Sequence, residues 1–109
     1  MSTTLAFNID VTVPSGVGVW SPLGTVDVHE FTQIRVLAYT HKDSTAAAKI
    51  HLIMIEGEES IADMDIISVE PQSAVSRVYD VPGKMLQFVN EGPGPNGETG
   101  VGVVVYGRV

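Results

Sequence analysis

The chain has 109 residues, no cysteine and a formal net charge of −7, from six Lys and Arg against thirteen Asp and Glu. A chain of this length fits a single domain, 1–109, because hydrophobic cores divide only beyond about 250 residues. Without cysteine, neither a disulfide framework nor a thiolate metal site can form. The six basic residues are scattered along the sequence, so no cluster is available to neutralise phosphates. Nucleic acid and anionic membranes are therefore not expected partners.

The amino terminus gives no indication of targeting. Residues 1–6 contain neither a positively charged segment nor a continuous apolar one, so we expect no signal peptide. No apolar run approaches the ~18–20 residues of a membrane-spanning helix. The expected location is the cytoplasm or another aqueous compartment.

The first half of the chain alternates between apolar and polar residues. One apolar row predicts the first strand, because side chains in a strand point to opposite faces with a period of two: Leu5, Phe7, Ile9, Val11 and Val13. Residues 17–20 and 25–31 are weaker strand candidates, separated by a predicted turn at 21–24. Residues 32–40 predict a better strand, with Ile34, Val36 and Ala38 on one face.

The second half continues the pattern. Residues 49–55 are apolar on both faces and rich in isoleucine, which favours a strand over a one-turn helix at 46–48. Residues 61–69 and 74–79 predict two more strands, and 81–84 fit a type II turn. Near the end, apolar runs at 85–89 and 101–109 flank a segment rich in Gly, Pro and Asn, which predicts a C-terminal hairpin.

About eight strands, little helix and turns every 8–12 residues predict an all-β antiparallel sandwich of two sheets. Jelly-roll topology is the first choice and an immunoglobulin-like order the second. The rhythm of 78–83 and 103–108 is similar to that of viral, phage and lectin-like jelly rolls. No diagnostic motif accompanies this rhythm, and the sequence identifies no family.

Several strands are apolar on the face that a simple sandwich would expose. The side chains concerned are Leu37, Ile53, Ile55 and Val104, accompanied by Tyr39 and Tyr106. A sandwich has no third layer to cover them, so we expect a neighbouring copy to do so and predict a homo-oligomer. The alternative is single exposure, since over half of any protein surface is apolar.

Residues able to carry chemistry are few. The three histidines, His29, His41 and His51, have no metal-like spacing, so no metal site or cofactor is predicted. The acidic stretch 56–65 lacks the calcium-loop pattern and is expected to be solvated. No serine lies in a nucleophile elbow, and no glycine-rich run is followed by the Lys-Ser/Thr of a phosphate loop.

Two function classes remain. The first is a non-enzymatic, self-associating structural or interaction module. The second is a binding protein or enzyme for a small ligand, a sugar or a carboxylate, with a pocket between sheets or subunits. Besides further copies of the chain, the partners considered are a small ligand and another protein. Aromatic and guanidinium side chains suited to such a pocket are Trp20, Arg35, Tyr39, Arg77, Tyr79, Tyr106 and Arg108.

Overall fold

The computed structural model describes residues 3–13, 20–41, 46–56, 59–81, 83–91 and 99–109. Eight strands account for most of these residues. They are β1 (Thr3–Val13), β2 (Trp20–Asp27), β3 (Gln33–Thr40), β4 (Ala48–Glu56), β5 (Glu59–Val69), β6 (Ala74–Asp80), β7 (Met85–Glu91) and β8 (Thr99–Arg108). The described residues contain no helix long and apolar enough to cross a membrane.

The strands form two antiparallel four-stranded sheets, which confirms the predicted all-β sandwich. The first sheet has the order β1-β8-β3-β6 and the second the order β2-β7-β4-β5. An immunoglobulin-like sandwich keeps its first two strands in one sheet, whereas β1 and β2 lie in different sheets here. The turn predicted at 81–84 includes Pro82, which lies outside the described residues.

The predicted C-terminal hairpin is wrong. Strand β7 pairs with β2 and β4, whereas β8 pairs with β1 and β3 in the other sheet. Both strands are strongly apolar on their inner side, so each is stabilised by lying centrally in its own sheet, opposite the other across the core. The intervening Gly- and Pro-rich segment connects two sheets and not two neighbours within one sheet.

The core lies between the inner faces of the two sheets. Most of its members are aliphatic and branched at Cβ, which suits a pleated, buried surface. The largest fully buried side chains are Phe88, Ile34, Ile50, Leu52, Ile67, Leu86, Val28, Val36, Val69, Val101, Val103 and Val105. The alternation predicted for 32–40 and 101–109 is confirmed at these positions, although Val109 is exposed.

One bulge changes the predicted pattern in β1. The register of β1 against β8 shifts between Leu5 and Phe7. Residues after the shift keep the predicted direction, so Phe7, Ile9 and Val11 pack against the core. Leu5 pairs with Tyr106 on the outside and is 55% exposed. A bulge places two residues opposite one, which reverses the facing of everything before it.

A second bulge explains why β2 was predicted incorrectly. The structure has a continuous strand from Trp20 to Asp27, where the sequence predicted a turn at 21–24. The register against β7 shifts between Pro22 and Gly24, and Gly24 adopts a φ of 148°. Proline and a positive-φ glycine are tolerated because β2 is an edge strand.

Candidate functional site

The outward side of the sheet β1-β8-β3-β6, here called face 1, carries an apolar centre. Leu37 and Val104 are direct cross-strand neighbours and are both half-buried. Three further apolar side chains lie with Arg35 in the adjacent cross-strand row and are clearly exposed: Leu5 at 55%, Val78 at 48% and Tyr106 at 38%. Apolar side chains gathered in this way form a patch, which distinguishes face 1 from a surface with isolated exposed residues.

Two arginines lie at one end of face 1, here called the arginine end. Arg35 is the cross-strand neighbour of Tyr106, and Arg108 is that of Gln33. Both arginines line a surface cavity of about 80 Å³, together with Thr3, Gln33, Ile34 and Val78. Within the described part of the chain, Arg77 is the arginine with a carboxylate partner, and these two have none.

The opposite end of face 1, here called the aspartate end, is a hydrogen-bonded cluster. The Tyr39 hydroxyl donates to Asp10 Oδ2 at 2.7 Å, and His41 Nε2 lies 2.5 Å from Asp10 Oδ1. The bond from Tyr39, and secondarily the one from His41, hold the pKa of Asp10 below its ordinary value. The same carboxylate raises the pKa of the Tyr39 hydroxyl.

Two glycines of β8 make this cluster possible. A Cβ at Gly102 would lie 1.9 Å from Cζ of Tyr39, and one at Gly100 would lie 1.8 Å from Nδ1 of His41. The two rings therefore cross β8 in space that any side chain would fill, and they reach Asp10 on the far strand β1. Glycine inside a strand marks such a close approach.

The outward side of the sheet β2-β7-β4-β5, here called face 2, is built around His51. This imidazole is only 4% exposed, although it points outward from β4. Its Nδ1 lies 2.9 Å from Asp63 Oδ2 and its Nε2 lies 3.0 Å from Glu91 Oε1. The ring of Trp20 packs on it with centroids 4.5 Å apart. Both contacts can be hydrogen bonds together only when each ring nitrogen carries a proton, because ionised carboxylates only accept.

A third polar cluster closes the side of the sandwich where β5 and β6 are the edge strands. Asp65 Oδ2 accepts from the Tyr79 hydroxyl at 2.6 Å and from Arg77 Nη1 at 2.8 Å. Burial, and secondarily the Asp65 carboxylate, raise the pKa of Tyr79 to about 12. The Tyr79 hydroxyl and the Arg77 guanidinium hold the pKa of Asp65 below its ordinary value.

The structure separates the side chains predicted to line a ligand pocket. Arg35, Tyr106 and Arg108 meet at the arginine end, and Tyr39 lies on the same face at the aspartate end. Arg77 and Tyr79 belong to the cluster between β5 and β6, and Trp20 lies on face 2. Of the predicted interface residues, Leu37 and Val104 lie on face 1, whereas Ile53 and Ile55 are half-buried on face 2.

Sequence reasoning missed the carboxylate partners of the histidines. Asp10 and Glu91 come from strands remote in sequence from the histidines that they contact, so no spacing along the chain could reveal them. Asp63 is 12 residues from His51 on the next strand, β5, but the register that brings the two together is shifted by bulges. The two glycines of β8 were the available signal for the aspartate end. Among the described residues, no three His, Asp or Glu side chains are placed to hold a metal ion.

One histidine contact was readable from the sequence. Asp27 and His29 are two residues apart, and Nδ1 of the ring lies 2.5 Å from the carboxylate in an exposed turn. The hydrogen bond with Asp27 raises the pKa of His29 and lowers that of Asp27. This pair is local and solvated, which is typical of a turn and not of a reaction centre.

Comparison with known proteins shows similarity in fold. No protein-family model matches the sequence, and no curated protein matches it. Among solved structures, the chain is similar to the crystal structure of SPBc2 prophage-derived protein YomS, with a TM-score of 0.50 and 17% sequence identity. The match covers 94% of this chain and 96% of that chain. At this identity the likeness establishes a common fold and nothing more.

Proposed function

We propose that this chain is a non-enzymatic β-sandwich that self-associates and serves as a structural or interaction module. The observation that carries the proposal is the apolar centre of face 1, where the half-buried pair Leu37 and Val104 lies beside the row that contains exposed Leu5, Val78 and Tyr106. A sheet face that is meant to contact water carries polar side chains at such positions. Contiguous apolar surface of this kind marks interaction sites in proteins.

The polar clusters support a structural role over a catalytic one. In each cluster the carboxylates already bond the side chains that a reaction would need free. Asp10 is engaged by Tyr39 and His41, and His51 is held between two carboxylates under Trp20. Such networks rigidify a surface, because hydrogen bonds within the chain hold their side chains in place.

We also assign the topology to the jelly-roll type. The support is the nesting of the strand order: β1 lies beside β8, β2 beside β7, β3 beside β6 and β4 beside β5. A chain folded back on itself and wrapped as a double strand around a core produces this order in two four-stranded sheets. The prophage-derived neighbour contributes to the proposal through its fold.

Sedimentation velocity over a wide concentration range tests self-association. We expect the weight-average sedimentation coefficient to rise with concentration as copies associate. A single species with the mass of one chain, 11.6 kDa, at every concentration up to the millimolar range would contradict the proposal. Measurement at moderate salt is important because two copies of charge −7 repel one another, and salt screens that repulsion.

A second candidate function, binding of a small carboxylate, is favoured by the arginine end. Two guanidinium groups that have no carboxylate partner in the described part of the chain line one cavity, and arginine binds carboxylates in a bidentate manner. The cavity of about 80 Å³ is far smaller than the ~300–1,000 Å³ of ordinary ligand pockets, which favours a small acid over a sugar.

A thermal-shift series tests this second function. Acetate, succinate and citrate are compared with chloride at equal ionic strength. A carboxylate-specific rise in Tm that disappears in Arg35→Gln would support the site. Equal effects of all the salts would contradict it.

A further inference from the structure

We propose that face 1 pairs with face 1 of a second copy about a two-fold axis near Leu37 and Val104, so that the arginine end of each copy lies opposite the aspartate end of the other. This inference rests on the proposed self-association and specifies its surface and symmetry. An isologous contact of this kind uses one patch twice and closes at a dimer.

The distribution of charge selects face 1. Its outward charges are balanced, with Arg35 and Arg108 against Asp10 and Asp80. This balance is unusual in a chain of net charge −7. Among the described residues, face 2 instead presents Lys49 and the His51 imidazole against three carboxylates, Asp27, Asp63 and Glu91. Two copies of face 2 would repel each other, whereas two copies of face 1 would not.

The order of residues along the strands makes face 1 complementary to itself. On β3, Arg35 and Tyr39 lie on either side of Leu37; on β8, Tyr106 and Gly102 lie on either side of Val104. The members of each outer pair are four positions apart, about 13 Å at the usual rise per residue. A two-fold axis that lies in the interface and runs across the strands places the row of Leu5, Tyr106 and Arg35 over the partner's row of Asp10, Gly102 and Tyr39.

The aspartate end can accept the contact that this arrangement offers. The Asp10 side chain is 49% exposed although Tyr39 and His41 already bond it. A carboxylate offers about four lone-pair positions, so two bonds leave room for a guanidinium. Arg108 is exposed and has no carboxylate partner among the described residues, and it has the length to reach Asp10 of the second copy from the adjacent row.

The size of face 1 sets the expected strength. Four strands and about nine residues measure roughly 600 Å² at usual strand spacing and rise, so the pair would bury about 1,200 Å². This area is at the lower limit of specific interfaces. We therefore expect a dimer in reversible equilibrium with the monomer.

The first test places like charges on the two-fold axis. Val104→Asp brings two carboxylates face to face, and we expect the dimer Kd from sedimentation to rise at least tenfold. Ile53→Asp is the matched control, because Ile53 is equally half-buried and lies on face 2. We expect it to leave the Kd unchanged. Circular dichroism and melting curves show whether each variant is folded.

A second variant guards against misfolding of the first. Arg108 is exposed and its side chain makes no hydrogen bond or ion pair with the described residues, so Arg108→Asp removes no polar side-chain contact among them. We expect it to raise the Kd at least tenfold by placing a carboxylate opposite Asp10. Because the chain has no cysteine, Val104→Cys is also a unique probe. A short bis-maleimide should link two such copies, and not two copies of Ile53→Cys.

The outcomes separate the two proposals. A wild-type chain that stays monomeric overturns both the self-association and this interface. A wild-type chain that associates with a Kd unaffected by Val104→Asp and Arg108→Asp overturns the interface alone, as does preferential linking through Ile53→Cys. If Val104→Asp does not fold, Arg108→Asp and the cross-linking decide.

Discussion

The two sides of the sandwich are closed by opposite kinds of chemistry. Where β1 and β2 are the edge strands, Phe7 stacks on Phe88 with centroids 5.6 Å apart and passes over Gly24. Where β5 and β6 are the edge strands, Asp65 is bonded by Arg77 and Tyr79. An apolar closure depends on shape and is insensitive to pH. A polar closure depends on protonation, so the contacts that close the gap between β5 and β6 should respond to acid and alkali, whereas the stacked rings that close the gap between β1 and β2 should not.

The largest expected effect is at the apolar side. Gly24→Ala should lower the free energy of unfolding by about 3 kcal/mol, because a positive φ strains any other residue by roughly 1–3 kcal/mol and overpacking costs a similar amount. The new Cβ would lie 2.6 Å from Cζ of Phe7. Urea unfolding provides the measurement.

A double-mutant cycle separates clash from backbone strain. Phe7→Leu removes the ring that the new Cβ meets. The loss of unfolding free energy in the double mutant should therefore be about 1 kcal/mol smaller than the sum of the losses in the two single mutants. Strictly additive effects would mean that Gly24 is required for its φ alone. The apolar closure would then depend less on the close approach of Phe7 than the structure indicates.

The next effect is at the polar side and depends on pH. The pKa of Asp65 is held low in the folded chain, so its stabilising contribution is complete above the unfolded pKa of about 4 and is lost as the pH falls through the folded value. Asp65→Asn should therefore lower the free energy of unfolding by about 1–2 kcal/mol at pH 7 and by progressively less as the pH falls below about 4. Melting curves across this range measure the difference. Asp80→Asn, an exposed change on the outer side of β6, should have no effect at any pH in this range.

The strands were predictable because alternation is a local property of the chain. Ile34, Val36 and Ala38 indicate their strand and its buried side without reference to any other segment. The neighbour of each strand is not a local property. Segments 85–89 and 101–109, which were expected to pair as a hairpin, lie in different sheets. Each segment is apolar enough to be a central strand in either arrangement, so its composition does not reveal its neighbours.

The polar clusters and bulges were beyond the sequence for the same reason. Asp10 and His41 meet only because β8 lies between their strands and presents glycines there. Leu5 faces outward because the bulge inserts one extra residue between Leu5 and Phe7, and the alternation of apolar residues in the sequence does not reveal that bulge. The residues suited to binding were identified by chemical type, which gives no information on whether Arg77 and Arg35 share a face.

A smaller effect at the polar side is expected in alkali. Burial raises the pKa of Tyr79 to about 12, so the folded chain favours its neutral form. That contribution is complete below the unfolded pKa of about 10 and is lost as the pH rises towards 12. Tyr79→Phe should lower the free energy of unfolding by about 1 kcal/mol at pH 7, because one hydrogen bond is lost. It should also make stability decline less steeply between pH 10 and 12. Tyr106→Phe is the control because its hydroxyl has no hydrogen bond within the described residues, and an equal flattening there would contradict the assignment.

The smallest effect distinguishes charge from shape within the polar closure. Arg77 meets Asp65 through one nitrogen, Nη1, and not through a two-pronged contact. Lysine can make such a single contact, so Arg77→Lys should change stability by less than about 0.5 kcal/mol, whereas bidentate pairs do not tolerate this exchange. Arg77→Met keeps much of the aliphatic stem and removes the charge. It should lower the free energy of unfolding by most of the amount that Asp65→Asn does. If Lys and Met were equally harmful in urea unfolding, the guanidinium would act by filling the gap between β5 and β6, and both sides of the sandwich would be closed by shape.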